Sequence, residues 1–92
     1  MTDEEFVMLM RQNGYVYVHK LKNGEWIGVA QFIYTCGLCV GLNEVSYRGR
    51  YCYVHMRDAL VDATAWDGEG DPSGPWIKYK GEDGERMNPI PS

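Results

Sequence analysis

The chain has 92 residues, a formal net charge of −4 and a hydrophobic fraction of 45%. A chain of this length forms one domain with a modest core, because short chains bury a smaller share of their surface than long ones. The negative charge argues against binding to a phosphate backbone. No apolar run reaches the roughly 18 residues typical of a membrane span, and the acidic first residues do not resemble a secretory signal. The composition therefore predicts a cytoplasmic protein without membrane contact.

The first residues predict a short amphipathic helix. Thr2 and Glu5 have the spacing of a capping box, in which each side chain bonds to the backbone N–H of the other residue. Phe6 and Met10 share one helical stripe, and an Asn-Gly pair then provides a stop. We expect a helix over residues 3–12 that packs against the core.

A β-hairpin is predicted next. Residues 15–21 and 26–35 are rich in β-branched and aromatic residues, which favour strands. Asn23-Gly24 lies between them, and Asn-Gly between two such runs is a strong signal for a hairpin with a type I′ turn. The two runs are therefore expected to pair antiparallel.

Two further strands and a second helix follow. The strands are predicted over residues 37–42 and 51–56, and the helix over residues 56–67. Small Ala59 and Ala63 lie on one face of this helix, so it can pack closely on a sheet. The predicted fold class is α+β, with an antiparallel sheet of about four strands, a short N-terminal helix, one helix packed on the sheet and an extended C-terminal segment. We expect a single compact domain over residues 1–81 and a flexible tail over residues 82–92.

The three cysteines and one histidine have a spacing that suits zinc. The pattern is C-x2-C-x12-C-x2-H, and structural zinc sites use pairs of this kind when the backbone turns at each pair. An odd number of cysteines also argues against a disulfide-bonded extracellular protein. The candidate ligands are Cys36, Cys39, Cys52 and His55.

A hairpin offers a different interpretation of the same residues. If the chain folds about Val45-Ser46, Cys39 lies opposite Cys52, and Cys36 lies opposite His55. Side chains alternate along a strand, so Cys36 and Cys39 then point to opposite faces and the four ligands cannot converge. The strand-forming residues between the ligands favour this interpretation, which predicts buried, reduced thiols and no cofactor. Zinc remains the alternative.

The segment from Trp66 to Lys78 is the most distinctive part of the sequence. It reads Trp-Asp-Gly-Glu-Gly-Asp-Pro-Ser-Gly-Pro-Trp-Ile-Lys. Together with the run Arg-Tyr-Cys-Tyr at residues 50–53, it resembles small proteins encoded in bacteriophages and prophages, and this resemblance covers roughly the C-terminal half. It implies the cytoplasm of a bacterial host cell as the setting. It transfers no functional residues, because no activity is established for those proteins.

These observations predict a small, non-enzymatic accessory protein that binds a host or phage protein, for example a defence protein. Surplus aromatic residues suit such a role, since tyrosine and tryptophan are frequent anchors at protein interfaces. The candidate partner-binding residues are Trp66, Trp76, Tyr79 and Tyr53.

Two other functions compete with this one. The first is a zinc-stabilised nucleic-acid-binding module, in which cations contact phosphates and aromatic rings stack on bases. Its cations are Arg48, Arg50, Arg57, Lys78 and Lys80, and its stacking residues are Tyr51, Tyr53 and Trp76. The second is an enzyme that uses Cys52 or Cys39 as a nucleophile with His55, which requires one highly reactive thiol.

Overall fold

The computed structural model describes residues 1–88, which form two helices and one six-stranded antiparallel sheet. The strands lie in the sheet in chain order, so each pairs with the next. The predicted α+β class with an antiparallel sheet and two helices is confirmed, but the prediction of about four strands is wrong. The elements are α1 (Asp3–Gln12), β1 (Tyr15–Lys20), β2 (Trp26–Gln31), β3 (Cys36–Val40), β4 (Gly49–Tyr53), α2 (Met56–Ala65), β5 (Lys78–Gly81) and β6 (Gly84–Met87).

The two additional strands come from the C-terminal part of the chain. In β5, Tyr79 lies opposite Tyr51 of β4, where its ring joins the core. A tight turn then reverses the chain, with Gly84 at a φ of 112°, and β6 pairs back onto β5. Residues 82–88, which the sequence assigns to a flexible tail, thus include a turn and a strand. The rest of the predicted tail, residues 89–92, lies outside the described residues.

Helix α1 begins at the predicted capping box and spans the predicted residues. The Glu5 N–H donates to Thr2 Oγ1 at 3.1 Å, and the Thr2 N–H donates to Glu5 Oε1 at 3.1 Å. Phe6 and Met10 are buried, and the Phe6 ring centroid lies 4.8 Å from that of Trp26. The helix therefore covers one face of the sheet near its β1 edge.

The β1–β2 hairpin forms as predicted, but its turn is longer than a type I′ turn. Gly24 has a φ of 91°, whereas Asn23 does not have the positive φ that type I′ requires. The Leu21 N–H donates to the Glu25 carbonyl at 2.8 Å, and the Gly24 N–H donates to the Leu21 carbonyl at 2.9 Å. These bonds close a three-residue loop with glycine at the left-handed position.

The β3–β4 register differs from the predicted one by two residues. Cys36 pairs with Tyr53 and Cys39 with Arg50, so the predicted pairs Cys39 with Cys52 and Cys36 with His55 are wrong. The loop between the strands is closed around Asn43, whose side chain accepts from the N–H groups of the second and third residues that follow it. A shift of two residues leaves each side chain on its predicted face, because the period of a strand is two.

The two faces of the sheet are covered to different extents. One face packs against α2, where Ala59 and Ala63 are fully buried. The other face packs against α1 over β1, β2 and Cys39 of β3, and its part over β4 and β5 borders an open groove. Neither helix in residues 1–88 is long and apolar enough to cross a membrane.

Candidate functional site

Three of the four aromatic residues predicted to anchor a partner are buried in the core. Tyr53, Trp76 and Tyr79 are at most 6% exposed. Trp66 is half-buried, and its ring packs edge-on against Tyr51 at a centroid distance of 5.9 Å. The loop between α2 and β5 folds back over the α2 side of the sheet, so these rings fill the space beneath it. The burial of Tyr53, Trp76 and Tyr79 corrects the prediction that these three rings offer a surface to a partner, whereas Trp66 is partly accessible.

The same loop is fixed by buried polar contacts. Asp62 of α2 is 4% exposed and accepts hydrogen bonds from the Tyr53 hydroxyl at 2.5 Å and the Gly74 N–H at 2.7 Å. Burial, followed by the bond to Asp62, raises the pKa of Tyr53 well above its usual range. Further along, Asp71 accepts from the Tyr51 hydroxyl at 2.7 Å and pairs with Arg86 of β6. The carboxylates of Asp62 and Asp71 therefore hold the loop in place.

The four candidate zinc ligands do not converge. Cys36 lies in the core on the α2 side of the sheet, whereas Cys39 lies in the cluster beneath α1. Cys52 is buried on the same face as Cys39, and exposed His55 precedes the first turn of α2. Within residues 1–88, no group of three or more histidine, cysteine, aspartate or glutamate side chains is placed to hold a metal ion.

The three thiols are buried and reduced. The Cys36 thiol donates to Gln31 Oε1 at 3.3 Å. Burial raises the pKa of Cys39 to about 12 and also raises the pKa of Cys36. Because the thiolate is the reactive form, these environments disfavour nucleophilic chemistry at Cys36 and Cys39.

The residues proposed for nucleic-acid binding are also separated. Tyr51, Tyr53 and Trp76 are buried on the α2 side, so they offer no stacking surface. Arg48 forms an ion pair with Glu25. Only three of the five cations share one face near β4 and β5, namely Arg50, Lys78 and Lys80.

These three cations line a groove of about 400 Å³. One wall is the turn between β2 and β3, and the floor is formed by β4 and β5. We call this cavity the basic groove. Its lining residues are Phe32, Ile33, Tyr34, Thr35, Arg50, Cys52, Ile77, Lys78 and Lys80.

Gly37 of β3 allows one side of the basic groove to form. A Cβ atom at this position would overlap the ring of Phe32 and lie 2.8 Å from Arg50 Cδ. Without that atom, Phe32 packs directly over the strand, and Arg50 Cζ lies 4.2 Å from the centroid of its ring. This distance is within the range of a cation–π interaction, which fixes the guanidinium beside the groove.

The basic groove concentrates positive charge in an acidic protein. Arg50 lies directly opposite Lys80 in the sheet, and Lys78 lies two residues along the same strand. Lys78 Nζ forms an ion pair with Glu85 at 2.9 Å. Glu85 also lies directly opposite Lys80 in the β5–β6 pair, although Lys80 comes within ion-pair distance of no carboxylate in the described part of the chain. Three cations and one carboxylate give this region a formal charge of +2, in contrast to −4 for the whole chain.

The β2–β3 turn presents two large apolar side chains to solvent. Ile33 is 88% exposed and Tyr34 is 94% exposed. The sheet register places the end of β4 and the start of β5 at the same end of the molecule, and Val54 and Ile77 are exposed there. We call Ile33 and Tyr34 the apolar tip. Exposed apolar patches beside a groove are typical of interaction sites.

The apolar tip was not recognised in the sequence because its residues are strand formers. Residues 32–35 continue the β-rich run of β2, but the Phe32 N–H donates to the Thr35 carbonyl at 2.8 Å and closes a turn there. No glycine or proline marks this turn.

Comparisons with protein-family models, curated proteins and solved structures give no match to this chain.

Proposed function

We propose that the protein is a non-enzymatic binding protein that docks another protein against the apolar tip and the basic groove. The observation that carries this proposal is the exposure of Ile33 and Tyr34 on a short turn beside a groove. A large apolar side chain next to a concave surface can become fully desolvated on binding, and such residues supply much of the binding free energy at protein interfaces.

The position of the tip on the sheet supports the same role. The turn joins two paired strands, and Phe32 at its base packs over Gly37. A turn held in this way loses little conformational freedom when it binds, so a smaller part of the interaction energy is spent on ordering it. The bacteriophage and prophage resemblance gives the partner a setting: we propose a host or phage protein in the bacterial cytoplasm, for example a defence protein.

Site-specific photocrosslinking tests the proposal. Benzoylphenylalanine replaces Tyr34 in one variant and Val45 in another, and each variant is irradiated in bacterial cells before the adducts are identified by mass spectrometry. Val45 is the matched control because it is 93% exposed but lies in the β3–β4 loop at the opposite end of the sheet.

We expect discrete adducts with one or a few proteins from position 34 and none of these adducts from position 45. The proposal is wrong if position 34 gives no adduct, or if both positions give the same set. A third variant with the crosslinker at Ile77 separates a tip contact from a groove contact, since Ile77 lines the groove but is not part of the tip.

A further inference from the structure

We infer that the basic groove receives an extended, acidic segment of the partner in which carboxylates at alternate positions share one face with an aromatic or aliphatic side chain. This inference rests on the proposed function and specifies the chemistry of the partner. Three features of the protein support it, namely the spacing of the cations, the apolar wall beside them and the distribution of charge over the chain.

The spacing of the cations matches that of an extended peptide. Lys78 and Lys80 are two residues apart on β5, so their side chains leave the same face about 6.5 to 7 Å apart. Carboxylates at alternate positions of an extended segment have the same separation. Arg50 lies beside Lys80 on the neighbouring strand, so one end of the segment meets two cations.

The wall of the groove supplies the apolar contact. Phe32 and Tyr34 on one side and Ile77 on the other lie next to the lysines. A ligand that carried only charge would leave these side chains in contact with water. An aromatic or aliphatic residue two positions beyond either carboxylate points to the same side of the extended segment and would bury them, which is favourable in proportion to the apolar area removed from water.

The charge on the rest of the chain limits the length of the anionic ligand. The groove region carries a formal charge of +2, so the remainder of the protein carries −6 for the chain to total −4. A long polyanion such as a nucleic acid would extend beyond the groove onto this acidic surface. A short acidic segment meets only the cations, and the observations therefore favour a protein ligand over a nucleic acid.

Fluorescence anisotropy with defined polymers tests this inference on the full chain. The probe is a short labelled random copolymer of glutamate and tyrosine in a ratio of about 4 to 1, compared with labelled polyglutamate and a labelled oligothymidylate of the same number of residues. We expect the copolymer to bind most tightly, polyglutamate to bind at least about fivefold more weakly, and added salt to weaken both.

Two charge reversals make a matched pair. Lys80→Glu changes the groove, whereas Lys22→Glu makes the same change in net charge on the exposed β1–β2 turn. We expect Lys80→Glu to weaken copolymer binding at least about tenfold and Lys22→Glu by less than about twofold. Tyr34→Ser should reduce the preference for the copolymer over polyglutamate. Circular dichroism confirms that each variant is folded.

The inference is overturned if both charge reversals weaken binding equally, or if oligothymidylate binds more tightly than the copolymer. Its failure can be distinguished from failure of the proposed function. If position 34 crosslinks to a specific protein while Lys80→Glu leaves copolymer binding unchanged, a partner exists but the groove does not select an acidic segment. If the copolymer binds through Lys80 while position 34 gives no adduct, the groove chemistry stands and the tip is not an interface.

Discussion

The Tyr53 hydroxyl donates a hydrogen bond of 2.5 Å to Asp62, which links the last residue of β4 to the middle of α2 inside the core. Asp62 also accepts from the Gly74 N–H, so one carboxylate holds the sheet, the helix and the α2–β5 loop together. This contact is placed on the α2 side of the sheet, opposite the basic groove. The contact therefore stabilises the α2 face of the sheet, while the candidate site lies on the opposite face.

Replacement of Asp62 by alanine should destabilise the protein by about 2 to 4 kcal/mol, because the Tyr53 hydroxyl and the Gly74 N–H would both lose their buried acceptor. Urea denaturation measures the change. Asp58→Ala in the same helix is the control, and it should cost under about 1 kcal/mol because Asp58 is partly exposed. Tyr53→Phe combined with Asp62→Ala should cost less than the sum of the two single changes, since both remove one interaction. Strict additivity would contradict this account of the contact.

Replacement of Gly37 by alanine should destabilise the protein by about 1 to 3 kcal/mol, because the added methyl group overlaps the ring of Phe32. The same change should alter the groove, since Phe32 also contacts Arg50. Combining Gly37→Ala with Phe32→Leu should recover part of the lost stability, because leucine can move away from the methyl group more easily than the ring. If the two changes are independent in thermal denaturation, Phe32 does not pack over Gly37 as described.

Stability should fall as the pH rises above about 8.5, the ordinary pKa of a cysteine thiol. Burial raises the pKa of Cys39 to about 12 in the folded protein, so between these values the folded state holds a proton that the unfolded state has released. Each increase in pH therefore lowers the free energy of the unfolded state relative to that of the folded state. The stabilisation of the folded state by the protonated Cys39 thiol is lost progressively toward pH 12.

The free energy of unfolding, measured in urea from pH 7 to 10.5, checks this sign. Cys39→Ala should flatten the decline relative to the unmodified protein, although the tyrosines with raised pKa values leave a remaining slope. An unchanged pH dependence in Cys39→Ala would show that the Cys39 thiol does not contribute.

The native protein should show no rapidly reacting thiol at neutral pH. All three cysteines are buried, and they should react with a chromogenic disulfide reagent only as fast as the protein opens. Unfolding in urea should expose all three.

Protein purified without added zinc should contain far less than one equivalent of metal. One equivalent that is lost on thiol alkylation would contradict the separation of Cys36 from Cys39 and Cys52 by the sheet.

Local signals predicted much of this fold. The Thr2 and Glu5 pair predicted α1, and the alternation of side chains predicted that Cys36 and Cys39 lie on opposite faces. Small Ala59 and Ala63 correctly indicated the face of α2 that packs on the sheet. Each of these features depends on residues that are close in sequence, where spacing alone fixes the geometry.

Features that depend on tertiary contacts were not predicted. Strands β5 and β6 contain glycine and charged residues. Pairing of β5 with β4 and of β6 with β5 holds them in place, rather than strand propensity. The burial of Trp76 and Tyr79 was not predicted, because it depends on how the loop after α2 and strand β5 pack against the sheet. The apolar tip was not predicted because Ile33 and Tyr34 are good strand formers, although they lie in a turn.

The affinity of a crosslinked partner for tip variants tests the central claim most directly. Once the protein that reacts with position 34 is purified, its dissociation constant is measured by calorimetry with the unmodified chain, with Ile33→Ser/Tyr34→Ser and with the control Val45→Ser. The account predicts that the tip variant binds at least about tenfold more weakly, because two exposed apolar anchors are lost, and that the control binds within about twofold of the unmodified chain. Equal affinity of all three proteins would contradict it.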